Sequence, residues 1–139
     1  FNAINERFSR HERIKFSSMT HLLLIFLGGG AGSLCRYGVG VCLSRWTSGQ
    51  SFPWATFAAN ALGCLLIGLL LGHLERQSAT SLRFLLVTGF CGGFTTFSTF
   101  SHEAFRLFTQ GHHLAALLYI AASLFAGVLG VAAGLLLAK

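Results

Sequence analysis

Four apolar stretches, each about 20 residues or longer, occupy most of this chain, at about 22–44, 53–74, 82–108 and 113–138. A helix needs about 20 apolar residues to cross roughly 30 Å of hydrocarbon. In that medium the backbone must satisfy its own hydrogen bonds, which a helix does within a single segment. Short polar connections join the runs, "TSGQS" at 47–51 and Glu75, Arg76, Gln77 and Ser78 between the second and third. The expected fold class is all-α integral membrane, a compact bundle of four transmembrane helices. Composition agrees: with 53% hydrophobic and 10% charged residues, a chain of 139 residues is too apolar for a soluble domain and too short for two domains.

A formal charge of +6 raises the question of nucleic acid, and the distribution of that charge answers it. Arg7, Arg10, Arg13 and Lys15 lie in the first 18 positions, and most other basic residues sit singly near the ends of apolar runs. That is the pattern of membrane flanks, not of a nucleic-acid patch. Residues 1–18, "FNAINERFSRHERIKFSS", are polar and lack an apolar core of signal-peptide length. Met19 stands just before the first apolar run, so 1–18 are expected to be a leader, either disordered or not native, and 19–139 the membrane domain. Cys35, Cys42, Cys64 and Cys91 all fall in apolar segments without the close pairing of a zinc site, and read as small buried hydrophobes. His73, His102, His112 and His113 lie towards segment ends, as interfacial or loop residues do.

Four spans place both ends of the membrane domain on one side. From Met19 onward, Arg76, Arg83 and Lys139 fall on that side and Arg45 and Arg106 on the other, with Arg36 inside the first span. Three against two is too small a bias to fix one orientation. The chain is therefore expected to insert both ways, and an antiparallel homodimer is the natural assembly for a bundle too small to enclose a path. The basic residues of the leader would tilt that balance.

The third run contains "GFCGGFTTFSTFSHE", residues 89–103. Gly89, Gly92 and Gly93 each lower helix stability by about 1 kcal/mol relative to alanine. Either the helix is broken there, releasing carbonyls and amides for an ion, or the glycines only permit close packing. Phe94, Phe97 and Phe100 then recur every three residues, with Thr95, Thr96, Ser98, Thr99 and Ser101 on neighbouring faces. Such an aromatic stripe is ordinarily core, but ring edges carry positive partial charge and, beside hydroxyls, offer a small anion weak donors without a trapping cation. In the second run, Asn60 shares a face with Thr56 and Gly63; it serves either as an interhelical hydrogen bond or as part of a polar track. Of the acidic residues, Glu6 and Glu12 are in the leader, Glu75 is in a loop and Glu103 follows the broken segment. With none central in a span, a small proton-coupled multidrug-type exporter, which needs a buried carboxylate, loses ground; a purely structural membrane scaffold is the other alternative.

The segments "GGGAGSLCRYGVG", "FPWATFAANALGCLLIG" and "GFCGGFTTFSTFSHE" resemble the Fluc or CrcB family of small fluoride channels, a likeness that covers 19–139 and leaves the leader without counterpart. The resemblance implies a dual-topology antiparallel homodimer with two fluoride pathways and passive export of fluoride across the plasma (inner) membrane, with no enzymatic step. It also implies a structural Na+ at the dimer interface, held by the backbone carbonyls of Gly92 and Thr95 of both subunits. Phe97 and Phe100 would form a phenylalanine box, with Asn60 donating its amide to fluoride. Thr56, Ser98 and Thr99 would continue the polar track, and Tyr119 and Ser123 resemble the family's fourth-helix pore residues. Glu103 would stand near a vestibule mouth, and Arg36 would be either vestibular or structural. The implied partners are fluoride, the lipid bilayer and a second copy of the chain. Fluoride is small and strongly hydrated, so such a pore must offer many closely spaced donors in place of water.

Overall fold

The computed structural model describes residues 2–47, 49–75 and 79–139, with side chains from Ser18 onward. Every described element is helical: α1 (Asn2–Thr47), α2 (Trp54–Leu74), a segmented third span and α6 (His113–Leu137). The third span comprises α3 (Thr80–Leu82), a π-helical stretch (Arg83–Cys91), α4 (Gly92–Phe94) and α5 (Phe97–Thr109). Among the described residues, four segments are long and apolar enough to cross a membrane, Ser18–Thr47, Trp54–Leu74, Thr80–Thr109 and His113–Leu137. The chain is an all-α, multi-pass membrane protein. The backbone of α1 is helical from Asn2. Of the second connection, residues 76–78 lie outside the described residues.

Two seams of small residues hold the bundle together. Gly28, Gly29 and Gly32 of α1 face the third span at Gly89, Phe90 and Gly93, the two running parallel. A methyl group at Gly89 would stand 3.0 Å from both Gly28 Cα and the Ile25 carbonyl oxygen, so only glycine lets these backbones meet. Gly68 and Gly72 of α2 lie in the same way against Val131, Gly134 and Ala138 at the end of the fourth span. Helix propensity is poor in both stretches, yet the helices persist, because lipid offers their backbones no other partner.

The turns are set locally. Pro53 stands one residue before α2, as its N-cap, and its carbonyl accepts the Phe57 N–H at 3.1 Å. After α5, the Gly111 N–H donates to the Phe108 carbonyl at 3.1 Å and the His112 N–H to the Leu107 carbonyl at 2.9 Å. This closing pattern requires a left-handed residue, and Gly111 supplies it at φ 80°.

Little of the chain is buried within itself. A small core of Ala104, Leu107, Ala116 and Tyr119 joins α5 to α6, while large apolar side chains along α1 and α6 are exposed, as expected of surfaces that meet lipid or another chain. The cysteines correct one expectation: Cys91 is buried and Cys64 partly so, but Cys35 and Cys42 are exposed on α1.

Candidate functional site

The third span is interrupted at its middle, though not at its glycines. Thr95 and Thr96 are both extended, with φ/ψ of −85°/157° and −150°/119°, whereas Gly89, Gly92 and Gly93 lie in helical backbone. Gly89 and Gly93 serve the seam with α1, where the Gly93 carbonyl also accepts the Ser33 hydroxyl at 3.4 Å. Gly92 alone faces open space. The expected break is present, displaced a turn along the chain.

Its cause lies on another helix. Asn60 of α2 accepts the Thr96 N–H through Oδ1 at 2.8 Å and donates through Nδ2 to the Thr96 carbonyl at 3.1 Å. In a continuous helix the Thr96 N–H would close on the Gly92 carbonyl; Asn60 diverts it. The Thr99 N–H, which would close on Thr95, is taken by Thr96 Oγ1 at 3.3 Å, an N-cap for α5. Gly92 and Thr95 are thus among the carbonyls that lose their helical donors at the break, and released carbonyl oxygens are ligands suited to a hard cation. Asn60 is engaged in the interhelical role weighed from sequence, and one N–H of its amide remains for another acceptor.

Beyond the break, α5 begins inside the membrane span. Its first amides are unpaired by the helix and carry the positive end of its dipole, equivalent to roughly half a charge. Around them, Thr96 Oγ1 donates to Thr99 Oγ1 at 3.0 Å and lies 3.4 Å from Ser98 Oγ. Phe97 and Phe100 are 5.8 Å apart between ring centres and tilted by 39°. Phe97 is 79% exposed, so this face of the site is open on the single chain.

Glu103 follows the break, as expected from the sequence. It lies within α5, half-buried, and accepts from Thr56 Oγ1 at 3.0 Å and from Tyr119 Oη at 2.8 Å. A carboxylate therefore does sit inside a span, bridging α2, α5 and α6. Tyr119 is fully buried, with Phe100 at 5.1 Å and Phe52 at 5.3 Å between ring centres. Two residues expected along the fluoride pathway, Thr56 of the polar track and Tyr119 of the fourth helix, thus spend their hydroxyl protons on Glu103.

Asn60, Thr96, Phe97, Phe100 and Ser123 line one open cavity of ≈ 490 Å³, together with Gly92 and Thr95. Ser123 Oγ is buried in it without a hydrogen-bond partner. The structure thus gathers Asn60, Phe97, Phe100, Ser123, Gly92 and Thr95 at the cavity and puts Thr56 and Tyr119 at Glu103. Ser98 and Thr99 sit exposed at the start of α5, while Arg36, half-buried on α1, does not line the cavity. Thr96 and Glu103 join the hydrogen-bond network of the site, although neither was among the residues expected to line the fluoride pathway. Both had a signal: a threonine just before a helical run is an N-cap candidate, and Thr96, Phe100 and Glu103 follow one another at four and three residues on one face.

A multi-pass membrane protein with a helix interrupted at mid-span, beside a groove of aromatic and hydroxyl groups, has the architecture of channels and transporters built on discontinuous helices. A family profile described as CrcB-like protein, Camphor Resistance (CrcB), matches residues 23–135. The chain belongs to the CrcB family. A relative from Flavobacterium psychrophilum is 46% identical over 123 residues, covering 87% of this chain and 98% of its own length. One from Phocaeicola vulgatus is 46% identical over 118 residues, covering 84% and 97%, and one from a Methylobacterium strain is 47% identical over 116 residues, covering 82% and 92%. Each of these proteins bears the name fluoride-specific ion channel FluC.

Proposed function

We propose that this chain is a passive fluoride-selective channel of the plasma (inner) membrane, exporting fluoride down its gradient and thereby relieving its toxicity. The observation that carries the reading is the Asn60-held break, which sets the positive end of α5 and the remaining Asn60 N–H beside Phe97, Phe100 and the unpartnered Ser123 hydroxyl. Dehydrated fluoride needs several donors in series, none strong enough to trap it. Weak ring edges, hydroxyls and amide N–H groups meet that need, and the names of the relatives point to the same ion.

The working unit in this reading is an antiparallel homodimer in dual topology. Phe97, Ser98, Thr99 and Gly92 are exposed on one chain, and a second copy would complete the groove. The carbonyls of Gly92 and Thr95 are suited to hold a structural Na+ at the shared axis, which would supply fixed positive potential near an anion path. Thr56, Tyr119 and Glu103 form the next station along the same face, where carboxylate and hydroxyls are already paired.

Liposomes loaded with fluoride test the function. Electrogenic fluoride efflux without chloride efflux is expected, with Phe97→Ile and Asn60→Asp each lowering it. Efflux that depends on a proton gradient would favour an exporter instead, and folded protein without any flux would refute the channel.

A further inference from the structure

The cavity also holds chemistry for which an anion path has no use. Cys64 lies one turn beyond Asn60 on α2, and Cys91 one turn before Thr95 on the third span. These segments run antiparallel: Asn60 meets Thr96, and Gly63 abuts Thr95 and Phe94. The next turn of each therefore brings Cys64 level with Cys91. Both side chains line the same cavity as free thiols. The wall around them is mostly apolar, with Ile67, Val87 and Leu124 beside the hydroxyls of Thr88 and Ser123.

We propose that Cys64 and Cys91 form a dithiol site for one soft, thiophilic cation of the copper(I), silver or mercuric class, and that its occupancy obstructs the cavity beside Asn60 and Phe97. Soft sulfur ligands select such ions, while hard cations favour oxygen, so this site is chemically distinct from the Gly92 and Thr95 carbonyls. The ligands are thiolates. Uptake of a mercuric ion exchanges two S–H bonds for two S–Hg bonds and releases two protons, with no change of oxidation state. Binding is independent of the fluoride reading; only the effect on flux rests on it.

The test uses the full chain with Cys35→Ser and Cys42→Ser, which removes the two exposed thiols outside the cavity. The protein is titrated with mercuric chloride, and thiols still reactive with maleimide are counted after unfolding. One ion per chain, with both thiols protected, is expected. Adding Cys64→Ser or Cys91→Ser should weaken retention against a competing monothiol by on the order of a hundredfold, because the second sulfur no longer acts at high effective concentration. Two ions per chain, or thiols left reactive after one equivalent, would overturn the site. In fluoride-loaded liposomes, one equivalent should stop efflux and a dithiol chelator should restore it. Equal inhibition after Cys64→Ser, or full flux with both sulfurs occupied, would overturn the obstruction. Absence of fluoride efflux before any metal is added would count against the channel reading, and the thiol count would still decide the site.

Discussion

Replacing Asn60 with alanine is expected to heal the third helix. Its two bonds to Thr96, at 2.8 and 3.1 Å, hold the Thr96 N–H away from its helical acceptor on Gly92. Interhelical hydrogen bonds in membranes average about 0.6 kcal/mol and reach about 1.7, so the pair contributes about 1 to 3 kcal/mol, a bias of roughly 5- to 150-fold towards the interrupted form. Without Asn60 the Thr96 N–H either stays unpaired, at about 1–3 kcal/mol, or returns to the Gly92 carbonyl. The second course is cheaper, and it removes a carbonyl from the proposed cation site and shifts the start of α5. Hydrogen exchange at the Thr96 amide and fluoride efflux measured on the same variant report the two ends of this chain of events. Efflux should fall by roughly tenfold or more, matching about 1.4 kcal/mol of that bias, with altered exchange at Thr96. Wild-type flux together with wild-type exchange at Thr96 would refute the reasoning. Asn60→Asp is the sharper variant, since it keeps the acceptor for the N–H but turns a carboxylate oxygen towards the Thr96 carbonyl.

Glu103→Ala should destabilise the detergent-solubilised protein more than Tyr119→Phe, because the first leaves two hydroxyls without their acceptor and the second removes one donor, at about 1 kcal/mol per bond; equal shifts in melting temperature would dismiss the bridge. Gly89→Ala should disrupt folding or lower thermal stability, its methyl meeting backbone at 3.0 Å, whereas Gly92→Ala should leave the fold of a single chain intact. If Gly92→Ala instead prevents dimer formation on size-exclusion chromatography while the chain remains helical, the proposed close approach of two copies gains support; an unaltered dimer would argue against it. A reporter at the C-terminus, active on only one side of the membrane, should signal from both orientations; a strictly one-sided signal would sink dual topology.

Much of the membrane architecture was legible in the residues. The four spans followed from apolar length, and close packing was one of the two readings open for Gly89 and Gly93, which face α1. The location of the break was less accessible. Local propensity pointed to Gly89, Gly92 and Gly93, yet those residues remain helical because lipid leaves their backbones no alternative partner. Thr95 and Thr96 are extended because Asn60, more than thirty positions earlier in the chain, competes for one amide and one carbonyl.

Glu103 makes the same point for charge. The family resemblance implied a place near a vestibule, and nothing local indicates that α2 and α6 bring Thr56 and Tyr119 to its two oxygens. The exposure of Cys35 and Cys42, against the burial of Cys91, likewise depends on which face of each helix finds a neighbour. By itself the sequence determined that this chain crosses the membrane four times, and that its third span carries the glycines, hydroxyls and aromatic rings of an ion site. Tertiary structure alone decided which backbone groups are released and which hydroxyls are spent, because a hydrogen-bond donor in lipid goes to whichever acceptor another helix brings within reach.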